Sequence, residues 1–178
     1  MKRMLILGVL IWSFGLSFGA MAGDDQLLYK QTASKQLVLH QPVRIPADTA
    51  TAYFQGGAVV SANDLDEFSP YCALVVASVS ETSQQVPAGR YRIVKLFPYD
   101  EEQSSLTPIR VAGINGWVVA SGDANTDHSF MTRIKLASIT TPKLLYLDCG
   151  ALWDYSIGKH ITSEQFNYTV GSWLSLAP

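Results

Sequence analysis

Residues 66–76 read DEFSPYCALVV, and residues 143–150 read KLLYLDCG. The first is an acidic turn that passes through Pro70 into an apolar, β-branched run with Cys72 near its head. The second is an apolar run that Cys149 closes. Short runs of this kind, bounded by turn residues, are the signature of buried strands. Cys72 and Cys149 are the only cysteines of the chain, so what these thiols do bears on the whole architecture.

The N-terminus supplies their redox context. Met1-Lys2-Arg3 is a short positive segment, MLILGVLIWSFGLSF (4–18) is an apolar core, and Ala20-Met21-Ala22 is a small-x-small cleavage pattern. Together they predict a signal peptide over 1–22, cut between Ala22 and Gly23. An uncleaved anchor is the competing reading. It is disfavoured because the apolar stretch ends in Gly and Ala without basic stop-transfer residues. No cysteine follows the cleavage point, so lipoprotein-type attachment is not supported.

Export places the two thiols in an oxidising compartment, periplasmic or extracellular, where an even number of cysteines usually pairs. A Cys72–Cys149 disulfide would close a loop of about 78 residues and stabilise the fold by roughly 3–4.5 kcal/mol. Two packed, unpaired thiols are the first alternative. A nucleophile or metal ligand is the second, and it lacks support: His40, His128 and His160 are scattered, and there is no CxxC or HxxxH spacing.

The chain expected after cleavage, 23–178, suits one domain with a sizeable core. Loss of Lys2 and Arg3 from 13 basic residues leaves 11 against 15 acidic ones, a net charge of −4. That balance, with no basic run, argues against nucleic acid or an anionic lipid surface as the main partner, and no stable membrane insertion is expected after cleavage.

Outward from the two cysteine segments the turn signals come at short intervals. Residues 23–35, GDDQLLYKQTASK, read as a linker or frayed segment preceding a single β-rich domain over 36–178. QLVLHQPVRIP (36–46) reads as one strand kept at an edge or end by Pro42 and Pro46. TAYFQGGAVVSA (51–62) carries paired glycines between apolar runs, a hairpin signal. VPAGR (86–90) is a turn, YRIVKLFPY (91–99) alternates, and DEEQSSLTP (100–108) reads as a solvated loop. PIRVAGINGWVVASG (108–122) is a second hairpin about Asn115-Gly116. HSFMTRIKLASI (128–139) alternates if Phe130, Arg133 and Lys135 are set against Met131, Ile134 and Leu136, which requires a bulge.

Helix is expected only at the end. In ITSEQFNYTVGSWLSL (161–176), Thr162 and Gln165 have capping-box spacing, Phe166, Thr169 and Val170 would face the core, and Gly171 would stop the helix. About eight short strands and one C-terminal helix predict a mainly β fold, an antiparallel β-sandwich or small barrel.

Chemical motifs are sparse. Asp123, Asn125 and Asp127 match the first ligands of a calcium loop, but His128 and Ile134 stand where its glycine and glutamate belong, and a polar turn explains the pattern. Asp64, Asp66 and Glu67, and Asp100, Glu101 and Glu102, are carboxylate clusters that read as solvated charge unless a cleft opposes two of them. There is no G-x-S-x-G elbow and no phosphate loop. Trp153 and Tyr155 flank Asp154 and either cover the open end of the core or form a recognition surface. Asn167 heads an NYT sequon that matters only in a eukaryotic secretory route. No catalytic residue, cofactor or metal is assigned from these patterns.

VRIPADTATAYFQGG (43–57), FSPYCALVV (68–76), PAGRYRIVKL (87–96), LASITTPKLLYLDCG (136–150) and ITSEQFNYTVG (161–171) occur in an order that resembles an uncharacterised family of small exported proteins of Gram-negative bacteria. The resemblance implies a periplasmic β-domain whose paired cysteines are Cys72 and Cys149. It brings no catalytic residue, cofactor or substrate. The expected function is a non-catalytic binding or envelope-interaction module for a protein or glycan of the cell envelope. The alternatives are a glycan-acting envelope hydrolase using loop carboxylates and a protein inhibitor of a secreted enzyme.

Overall fold

A computed structural model describes residues 26–31, 34–103, 127–137, 142–154 and 156–178. The predicted cleavage point at Ala22 and Gly23, the Asn115-Gly116 hairpin, Asp123, Asn125 and Tyr155 lie outside the described residues.

The fold is mainly β, a large curled antiparallel sheet forming a half-barrel with a short C-terminal helix. Its strands are β1 (Gln36–Leu39), β2 (Val43–Ile45), β3 (Thr51–Gln55), β4 (Ala58–Val60), β5 (Tyr71–Val76), β6 (Gln84–Val86), β7 (Gly89–Gln103), β8 (Asp127–Ala137), β9 (Leu144–Asp154) and β10 (Leu174–Ala177); the helix is α1 (Ser163–Val170). Eight strands form one sheet in the order β10-β1-β7-β8-β9-β5-β3-β4, while β2 and β6 pair separately.

Register decides what each face carries. Ile134 of β8 lies opposite Leu147 of β9, which lies opposite Leu74 of β5, and Cys72 lies opposite Cys149. These residues share the inner face with Phe54, Leu37 and Leu39, all fully or almost fully buried. Phe166 and Val170 of α1 and Val43, Ile45 and Val86 of the β2–β6 pair join the same core. The disulfide is formed, Cys72 to Cys149, and staples neighbouring strands in the middle of the core. With both sulfurs bonded, neither thiol is free for nucleophilic or metal chemistry.

Several local expectations hold for identifiable reasons. Gly56 and Gly57 both take positive φ, 58° and 81°, and turn β3 into β4. Thr162 accepts from the Gln165 amide while the Gln165 side chain accepts from the Thr162 amide, the expected capping box. Phe166, Thr169 and Val170 are buried on the helix's inner face.

Others are corrected. The 36–46 segment is two strands, because Pro42 ends pairing after His40; β1 is interior to the large sheet and only β2 lies in the small one. Residues 100–103 are strand rather than loop, hydrogen-bonded opposite 127–130. Pro98 is tolerated there because beyond Ile93 the strand has a described neighbour on one side only. β8 needs no bulge: Phe130, Thr132, Ile134 and Leu136 share one face, and the irregularity sits in β7, between Ile93 and Lys95. Residues 174–177, beyond the Gly171 stop and with no strand expected there, form β10 on β1. Leu28, in a 3₁₀ turn over Leu28–Lys30, is completely buried and its amide donates to the Ile161 carbonyl at 2.9 Å, so this part of the supposed linker is packed.

Gly171 stops α1 with φ 52° and ψ −130°. A Cβ there would lie 2.8 Å from the Gly57 Cα, closer than real carbons approach, and the Gly57 amide donates to the Thr169 carbonyl at 3.0 Å. The β3–β4 turn is thus docked under the helix end. Gly171→Ala is expected to cost about 1–3 kcal/mol from backbone conformation alone, with further loss from the clash, measured as a lower urea midpoint. A midpoint within error of the parent would contradict this contact.

Candidate binding site

The long strands β7, β8 and β9 run past the core, and their inner-face positions continue as Asp100, Phe130, Ala151 and Trp153. The chain then leaves β9 through a tight turn. Asp154 accepts from the Ser156 amide at 2.8 Å through its carboxylate, and from the Gly158 amide at 2.9 Å through its carbonyl. The Ser156 hydroxyl, which also donates to this carboxylate, and then the Ser156 amide hold Asp154 below the ordinary carboxylate range. The turn sends residues 157–161 back across the strands. Gly158 permits the crossing, since a Cβ there would sit 1.9 Å from the Phe130 ring.

Between the returning segment and the strands lies an open cavity of about 560 Å³, with walls that include Phe130, Trp153, Ile157, Lys159, His160 and Gln165. Its size falls within the roughly 300–1,000 Å³ typical of small-molecule sites. Trp153, singled out by the sequence, is half-buried in this wall. Asp154 beside it is consumed by the turn.

His160 is the titratable group of the cavity wall most removed from water. Its ring stands edge-on to Tyr29 (5.3 Å) and Phe130 (5.8 Å), and its Nε2 lies 3.1 Å from Asp100 Oδ1. Burial pushes the imidazole below its ordinary 6.5, although Asp100 and the Met131 backbone oppose the shift. Nδ1 is buried, and with burial the largest effect the folded protein favours the neutral ring. The stabilisation from keeping His160 neutral is complete above pH 6.5 and is lost as pH falls through the depressed folded-state value. His160→Gln is expected to flatten the loss of stability between about pH 7 and pH 5, read by urea unfolding across that range; an unchanged slope would show that another group dominates it.

The scattered histidines are not gathered. His40 contacts Ser175 Oγ at 2.8 Å at the opposite side of the sheet, and His128 lies 6.3 Å from the Phe130 ring. Asp64 accepts from Ser61 Oγ, and Asp66 accepts from Ser69 Oγ, each at 2.6 Å, holding one exposed loop. Among the described residues no three His, Cys, Asp or Glu side chains gather as a metal site. Asp127 is a strand residue opposite Gln103 and Asp154.

The outer face carries a cluster that composition and spacing did not reveal. Arg133 and Asp148 are directly opposite in the β8–β9 register. Arg133 donates through Nε (2.7 Å) and Nη2 (2.6 Å) to the two carboxylate oxygens, and Tyr99 donates to Asp148 Oδ2 at 2.9 Å. The guanidinium lies over the Tyr146 ring at 4.0 Å and the Tyr99 ring at 4.7 Å. Its pKa is pushed up, chiefly by the bond to Asp148. Burial, then the Asp148 charge, pushes the Tyr99 hydroxyl up, and burial followed by Glu67 pushes Tyr71 to about 12. With each charge paired and hydrogen-bonded, this cluster is suited to bracing the sheet.

No protein-family model, no curated protein and no solved structure matches the chain. Among the described residues no helix is long and apolar enough to cross a membrane. A structural disulfide fits an extracellular or periplasmic protein.

Proposed function

We propose that the chain is an exported, non-catalytic binding module of the cell envelope, periplasmic in a Gram-negative host, and that the cavity beside Trp153 is its ligand site. The observation that carries this reading is the cavity itself: Phe130 and Trp153, held on the long paired strands β8 and β9, stand beside Leu27, Ile157 and Ile161, with Lys159, His160, Thr162 and Gln165 as polar lining side chains. Rigid strands favour binding because little ordering entropy is lost when a ligand enters. The signal-peptide pattern, the disulfide and the resemblance to small exported proteins support the location.

The Asp100–His160 pair favours a second reading, a hydrolase. Asp100 is half exposed while the ring nitrogen facing away from it is buried, and no Asp or Glu side chain is among the described residues lining the cavity. General acid–base work on a glycan needs two carboxylates across a cleft, so the geometry favours binding.

The test is intact mass of the protein purified gently from its own host, under native, denaturing and reducing conditions. The expected result is a chain beginning at Gly23, a gain of about 2 Da on reduction, and extra native mass lost on denaturation. Turnover of a glycan, peptide or ester that His160→Gln abolishes would overturn the non-catalytic reading.

A further inference from the structure

The polar groups around the cavity narrow its ligand further, on the reading that the cavity is a binding site. Thr162 Oγ1 and Gln165 Oε1 each accept one backbone hydrogen bond in the capping box. His160 Nε2 faces Asp100 and its Nδ1 is buried. The Lys159 ammonium and the Gln165 amide NH₂ also line the cavity, neither engaged by another described residue. Lys159 is the only permanently charged side chain among the described lining residues. The apolar walls are Phe130, Trp153, Ile161 and Leu27, and Ile157 stands 65% exposed at the mouth.

We infer that the cavity takes an anionic amphiphile, a hydrocarbon chain ending in a carboxylate or phosphate, with the chain against Trp153 and Phe130 and the head at Lys159. The protein's overall negative charge makes this local cation the determinant of head-group choice.

The full mature chain is titrated by calorimetry with decanoate, decyl phosphate, decanol and a cello-oligosaccharide. Saturable 1:1 binding is expected for decanoate or decyl phosphate, with decanol about 2–5-fold weaker, the scale of one exposed charge contact. The more tightly bound head group separates a free fatty acid from a lipid phosphate as the source. Lys159→Gln, an exposed change, is expected to bring the anionic probe down to the decanol level, and Ile157→Glu to remove its binding with the unfolding midpoint unchanged. Equal binding of decanoate, decyl phosphate and decanol, unaffected by Lys159→Gln, would overturn the anionic head. Oligosaccharide binding without amphiphile binding would overturn the ligand class while leaving a binding module standing. No binding by any probe, together with no ligand mass on the native protein, would overturn both.

Discussion

Replacing Cys72 and Cys149 together by alanine is expected to lower stability by about 3–5 kcal/mol. The bond spans 77 positions of sequence, so breaking it returns a long closed loop to free-chain entropy in the unfolded state; the chain-entropy model gives about 4.5 kcal/mol for a loop of this length. Loss of the buried sulfurs adds a packing deficit, since both positions are completely buried between Phe54, Leu74 and Leu147. A net stability of roughly 5–15 kcal/mol makes this a large fraction. Guanidinium unfolding of the double variant beside the oxidised parent is the measurement. A loss below about 1 kcal/mol would mean that the unfolded chain already holds these strands together.

The second large effect concerns Asp148. Asp148→Ala is expected to cost about 3 kcal/mol, because the Arg133 guanidinium loses both carboxylate oxygens and keeps only the Tyr99 hydroxyl at 3.2 Å, while the Tyr99 hydroxyl loses its acceptor. Arg133 retains 30% of its side-chain exposure and can turn partly to water, which keeps the loss toward the lower end of the range for a buried pair. Arg133→Met combined with Asp148→Ala is expected to cost less than Asp148→Ala alone, since no unpaired charge remains. The cycle is completed with Arg133→Met and read by urea unfolding. Additive losses would show that the two side chains do not act as a unit.

The elements legible in the sequence were those fixed by neighbours along the chain. Gln55-Gly56-Gly57 makes its turn with its own backbone, and Thr162 with Gln165 caps its own helix. Cys72 and Cys149 were legible from chemistry, because export and an even count imply pairing wherever the strands lie. What was missed depends on register. Asp148 reads as a polar residue at the end of a strand until Arg133 is found directly opposite. The acidic run 100–103 reads as loop because its charges look solvated, yet β8 supplies its hydrogen bonds. The last strand carried no turn signal of its own, since only Ser172 and Trp173 separate Gly171 from the four-residue β10. The cavity was half visible: Trp153 marked the place, while Phe130, Ile157 and His160 are assembled by the turn at Gly158.

The position of β1 between β7 and β10 has a consequence for the living cell. Read out from the ribosome or through a membrane pore N-terminus first, β1 appears early and must wait for its flanking partner until almost all of the described chain has followed. Until then Leu37 and Leu39 have no β10 to lie against, and the half-built sheet presents an open flank. Such late closure delays compaction of the nascent chain. In a chain exported unfolded, as proposed above, that delay would favour passage, with the pairing of Gln36 and Ala177 forming last.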